Sequence, residues 1–201
     1  MLSLQNKKWC LDEPSMETVS LLEKGLQLPT AVAVLLANRG VTSLEFARDF
    51  IEADLTRLHD PFLMNGMGLA VERVIRAIQQ KEAITVFCDY DVDGVTSAAF
   101  LTHFFRDLNH PVEAYLPERQ SEGYGLNSDA VRKIRDQGAG LMITADCGIT
   151  GVTEVALANE IGLDVIITDH HQVGEEGLPA AIAVLNPHRL DCDYPYRFLC
   201  G

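Results

Sequence analysis

Five short apolar runs rich in β-branched residues, at 83–88, 112–116, 141–145, 164–168 and 182–185, constrain this chain more than any other feature. Helical patterns lie between most of them: Val95–Leu108, Ser128–Gln137 and Val152–Glu160. Buried strands alternating with helices predict an α/β fold with a doubly wound, mainly parallel sheet. The pattern before residue 81 is different. Residues 15–36 carry apolar side chains at helical spacing, interrupted near Gly25 and Pro29. Asn38-Arg39-Gly40 reads as a helix stop, and Thr42 or Ser43 as the cap of a helix over 44–51. His59-Asp60-Pro61 breaks the pattern, which resumes from Met67 to Gln80. Residues 1–80 are therefore expected to form a small helical N-terminal segment and 81–201 the α/β domain.

Polar residues gather where the strands end. Asp89, Asp91 and Asp93 follow the first run, Asp146 the third, Asp169-His170-His171 the fourth, and Asn186-Pro187-His188-Arg189 the fifth. Open parallel sheets bind their ligands at the carboxyl ends of their strands. Three carboxylates at alternating positions repel one another unless a cation sits among them, and hard divalent ions such as Mg²⁺ and Mn²⁺ prefer oxygen ligands. Asp-Tyr-Asp-Val-Asp-Gly alone would also serve as an acidic helix cap. Several such ends converging on one edge favour metal chemistry.

Charge and cysteine content narrow the class. A net charge of −13 counts against a passive nucleic-acid-binding module, which is usually basic. It does not count against a nuclease whose bound metals invert the local field. The 5 cysteines are scattered without a C-x-x-C pair, which suits a reducing cytoplasm. No apolar run approaches the roughly 18 residues of a membrane span, and residues 1–8 lack the core of a secretory signal. Cytoplasmic placement and no membrane partner are expected. The end at Phe198-Leu199-Cys200-Gly201, without a polar tail, suggests a piece of a longer protein.

Asp-Tyr-Asp-Val-Asp-Gly at 89–94, Ala-Asp-Cys-Gly at 145–148 and Asp-His-His at 169–171 resemble the first three motifs of the DHH phosphoesterase superfamily. Pro117-Glu118-Arg119, Gly123-Tyr124-Gly125-Leu126-Asn127 and Leu185-Asn186-Pro187-His188 are similar, more narrowly, to its RecJ family of exonucleases. The resemblance implies a two-metal enzyme using Mn²⁺ or Mg²⁺ that removes 5′-mononucleotides from single-stranded DNA in the 5′→3′ direction. It implies work in DNA repair and recombination, with a helicase and a single-strand-binding protein as partners. It implies Asp91 and Asp93 as metal ligands, Asp146 as a catalytic carboxylate bridging two ions, and His170 as a ligand of one ion. His171 would face the substrate phosphate and donate a hydrogen bond or proton. Asp89 would ligate or support, and Asp169 would orient its neighbours. A further aspartate from a fourth motif is also implied; Asp191 and Asp193 do not match its context, so the domain is expected to be incomplete.

Other positions stay open. Arg119 suits bidentate phosphate binding, or is a solvated charge. Tyr124 can stack on a base or pack over its loop. Asn186 and His188 can reach the site from their strand end. Cys147 reads as a packing residue, and His59, His103 and His110 as structural. A DHH phosphodiesterase acting on short oligonucleotides or cyclic dinucleotides, and a non-catalytic DHH-like scaffold, remain as alternatives.

Overall fold

A computed structural model describes residues 10–200 except 11, 53, 119, 121 and 124. They fall into two compact units, Met1–Leu58 and His59–Gly201.

In the first unit the expected interruption near Gly25 and Pro29 separates helix α1, Met16–Leu26, from α2, Thr30–Asn38. Ser15 caps α1 through the Thr18 N–H, and Ser43 caps α3, Leu44–Glu52, through the Phe46 N–H. Val19, Leu22, Ala33, Leu36, Val41 and Ala47 form a core of their own. A Cβ at Gly25 would lie 2.4 Å from a Leu44 methyl, so α1 and α3 approach as closely as glycine allows.

The second unit is built on five parallel strands: β1, Ala83–Cys88; β2, Val112–Tyr115; β3, Ala139–Ala145; β4, Asp164–Thr168; and β5, Ala183–Leu185. Their spatial order is β2-β1-β3-β4-β5. The chain runs outward from β1 to β2 and then returns past β1 to β3, so the winding reverses between β1 and β3. That reversal opens a crevice at their carboxyl ends.

Helices α4, Met67–Gln80, and α5, Val92–Asp107, cover one face. Ala70, Ala77 and Phe105 pack there with Ile84, Leu141, Ile143 and Ile166. Helices α6, Ser128–Asp136, and α7, Val152–Glu160, cover the other. Ala130, Ile134, Val155 and Ala158 pack there with Phe87, Met142, Val165 and Ile167. Successive residues of β3 and β4 thus serve opposite cores, which explains why those runs are apolar throughout.

Two sequence expectations shift. Helix α4 lies in the sheet-bearing unit, which starts at His59, whereas the sequence placed 59–80 in the N-terminal segment. Its Arg73 is 5% exposed, with Nε 2.5 Å from Asp164 Oδ2 at the start of β4 and Nη2 2.6 Å from Glu82 Oε2. Helix α5 starts at Val92, three residues before the expected Val95, because the Asp91 carboxylate caps it.

Candidate metal centre

Asp89 leaves β1 with its side chain buried. Oδ1 accepts the Tyr90 N–H at 2.6 Å, while Oδ2 is buried and accepts no hydrogen bond from the described residues. Asp91, exposed, accepts the Gly94 N–H at 3.1 Å as the cap of α5. That bond, ahead of other effects, holds its carboxyl below the ordinary carboxylate range. The sequence makes this turn possible at one position. A Cβ on Gly94 would sit 2.1 Å from the Asp89 carbonyl oxygen, so only glycine lets α5 begin this close to β1.

Asp146 follows β3 directly with φ +62°, in the left-handed region that few non-glycine residues occupy. Its N–H donates to Thr168 O of β4 at 3.0 Å, and its side chain is buried. Burial and the neighbouring Asp91 carboxylate push it from 3.8 up to about 6. His170 Nε2 lies 3.0 Å from Asp146 Oδ1, but the two are not aligned as a hydrogen bond, and that buried oxygen is left without a donor.

Asp169 organises the histidine turn. Oδ1 accepts the His170 N–H at 2.7 Å, the His171 N–H at 3.0 Å and His171 Nδ1 at 2.7 Å. Oδ2 accepts the Ile149 N–H at 2.9 Å, which joins this turn to the loop after β3. Burial disfavours a charged His171, but the hydrogen bond and charge of Asp169 outweigh it and raise its pKa. Asn186, after β5, donates to His171 O at 2.9 Å and accepts the His188 N–H at 2.7 Å.

Two sets of ligand atoms result, each within 4.8 Å of one another: Asp89, Asp91 and Asp146, and Asp146, His170 and His171. Asp146 belongs to both. Two buried carboxylate oxygens without donors, among oxygen and imidazole ligands, fit a pair of hard or borderline divalent cations. The thiols take no part. Burial pushes Cys88 up to about 12 and raises Cys147 as well, so both stay protonated.

Of the expected ligands, the structure brings together Asp91, Asp146 and His170, and with them Asp89, which was expected to ligate or support. Asp93 lies in the first turn of α5 and joins neither set among the described residues. His171 sits within the cluster. His188 is half-buried in the loop after β5 and joins neither set. Arg119 and Tyr124 lie outside the described residues. Asp191 pairs with Arg189 at 2.7–2.9 Å and with Asn65 at 2.9 Å, away from both sets. The Asn186 contact to the His171 backbone has no signal in the sequence beyond the place of Asn186 after a strand.

Comparison with known proteins bears on the same residues. The model of the DHH family, N-terminal domain, matches residues 83–201. The single-stranded-DNA-specific exonuclease RecJ of Bacillus subtilis is 42% identical over 194 residues, covering 96% of this chain and 25% of that protein. RecJ of Escherichia coli is 35% identical over 176 residues, covering 87% of this chain and 30% of its own length. A crystal structure of exonuclease RecJ bound to manganese aligns with TM-score 0.61 and 33% identity over 68% of this chain and 34% of that one. RecJ from Thermus thermophilus in complex with Mn²⁺ aligns with TM-score 0.64 and 25% identity over 92% of this chain and 25% of that one. The chain spans about a quarter to a third of the length of these relatives.

Proposed function

This chain belongs to the DHH family, and on that premise we propose that it carries the metal-holding part of a single-stranded-DNA-specific 5′→3′ exonuclease. One observation supports the reading above others: Asp146 stands in both ligand sets while its buried Oδ1 accepts no hydrogen bond. A carboxylate placed to serve two cations at once is what a two-metal phosphodiesterase requires. The likeness to RecJ proteins, two of them solved with manganese, supports DNA as substrate and Mn²⁺ as a metal. The same oxygen ligands suit Mg²⁺.

Asp89, Asp91, Asp146 and His170 would hold the ions, with Asp93 a further ligand by its place in the motif. Bound divalent cations supply an acidified water and neutralise charge on the phosphoryl oxygens. His171, its Nδ1 bonded to Asp169, is the residue that faces the substrate phosphate in this reading. Its raised pKa favours the imidazolium, which can donate to a phosphoryl oxygen as negative charge develops there. Asp169 and Asn186 hold that imidazole and its backbone in place. Arg119 grips phosphate, Tyr124 stacks on a base and His188 reaches the substrate from the β5 side. The product is a 5′-mononucleotide.

Among the described residues no helix is long and apolar enough to cross a membrane. Cytoplasmic work in DNA repair and recombination, beside a helicase and a single-strand-binding protein, completes the proposal. Replacing Asp146 or His170 by alanine in the intact protein abolishes Mn²⁺-dependent release of mononucleotides from a 5′-labelled single strand. Undiminished release by either variant contradicts it.

A further inference from the structure

Asp146 leaves β3 in a conformation that costs a non-glycine residue free energy and persists only where its surroundings enforce it. An extended Asp146 would continue the alternation of β3 and present its side chain on the face of Met142, toward α6 and α7. The left-handed turn takes it out of that alternation and sets its carboxylate among the ligand atoms of Asp89, Asp91, His170 and His171. Two threonines hold that turn from both sides. The fully buried Thr144 hydroxyl donates to Cys147 O at 2.8 Å, reaching across Asp146. Thr168 of β4 lies in register with Ala145. Its hydroxyl donates to Thr144 O at 2.7 Å, and its carbonyl accepts the Asp146 N–H at 3.0 Å.

Valine suits a strand as well as threonine does and has nearly the same shape. What the two hydroxyls add is one bond on each side of Asp146, to the carbonyl two residues before it and to the carbonyl one residue after it. A carboxylate that serves two cations must be held to a narrower range of directions than one that serves a single ion, because turning it toward one ligand set takes it from the other. We infer that Thr144 and Thr168 are positioning residues whose hydroxyls hold Asp146 in its left-handed turn, so that one carboxylate faces both cation sites. The inference rests on the two-cation reading proposed above.

Mn²⁺ titration of the intact protein, followed by the free-ion electron paramagnetic resonance signal, separates positioning from packing. Groups that orient a metal ligand are worth about 10–100-fold in metal affinity. Thr144→Val and Thr168→Val each weaken both ions about tenfold. Thr144→Ser and Thr168→Ser, which keep the hydroxyl and lose the methyl, bind both ions at parental affinity. Because the effect passes through the shared carboxylate, Thr168→Val also weakens the one ion that His170→Ala keeps. A serine variant as weak as its valine counterpart shows packing and overturns the inference. Valine variants at parental affinity, where the parent binds two ions and Asp146→Asn loses both, overturn it alone. If the parent binds one ion, or Asp146→Asn keeps two at parental affinity, the shared-carboxylate reading fails and takes the inference with it. Thr144→Val strips a buried carbonyl of a donor; should it not fold, Thr168→Val, at a half-buried position, decides.

Discussion

His170 Nε2 stands 3.0 Å from Asp146 Oδ1, in a buried place where that oxygen accepts no hydrogen bond. The two groups attract by charge without an aligned hydrogen bond between them. Asp146 is desolvated there beside a second carboxylate, Asp91, and a cation between Asp146 and His170 would be ligated by both.

The metal-free protein is therefore stabler without the Asp146 charge. Folding raises the Asp146 carboxyl from 3.8 to about 6, so across that interval the folded state holds more protons than the unfolded state, and stability falls as pH rises. Asp146→Asn removes this loss. With a chelator at pH 7.5, the variant unfolds at a higher urea concentration than the parent, and by pH 4 the advantage disappears. A lower midpoint at both pH values would refute the electrostatic reading.

Asp169→Asn tests the orienting carboxylate. Outer partners of this kind are worth about 10–100-fold in activity or metal affinity. The parent loses activity as pH rises through the raised His171 pKa. In the variant that alkaline loss moves to lower pH, because the acceptor is no longer charged. A pH–rate profile with an unmoved alkaline limb contradicts this role.

Gly94→Ala meets the Asp89 carbonyl at 2.1 Å and is expected to lose about 1–3 kcal/mol of stability along with Mn²⁺ affinity. Gly68→Ala, also in a helix but with nothing within 4 Å, gains about 0.5–1 kcal/mol instead. Urea unfolding of both variants, with Mn²⁺ titration, checks the contrast.

Much of this arrangement is legible in the chain because the central strands β1, β3 and β4 are largely apolar and end abruptly in charge. Asp146 and His170 could be picked out for that reason. The ranking within 89–94 could not. Alternation at 89, 91 and 93 reads as one extended face, but the backbone turns helical at Val92, which carries Asp93 into α5 and leaves Asp89 buried at the strand end. The place of helix α4 against the sheet is not legible, because amphipathic spacing shows that a helix buries a stripe and not which sheet receives it. Arg73, an ordinary charge in sequence, is identified as buried only through Glu82 and Asp164, which are 9 and 91 residues away.

Arg73→Ala leaves those two carboxylates without their shared cation and opens a gap beneath α4. Removing one partner of a buried pair costs about 3–5 kcal/mol, and partial exposure of Glu82 and Asp164 puts this case at the lower end. The urea midpoint falls while Mn²⁺ stoichiometry and the metal centre stay intact. An unchanged midpoint would contradict the role given to this triad.

The central claim is that Asp146 is shared by two cation sites. Titration of the intact protein with Mn²⁺, followed by the free-ion electron paramagnetic resonance signal, addresses it directly. Two ions bind the parent, His170→Ala loses one, and Asp146→Asn loses both. Two ions retained by Asp146→Asn, at parental affinity, would contradict the account.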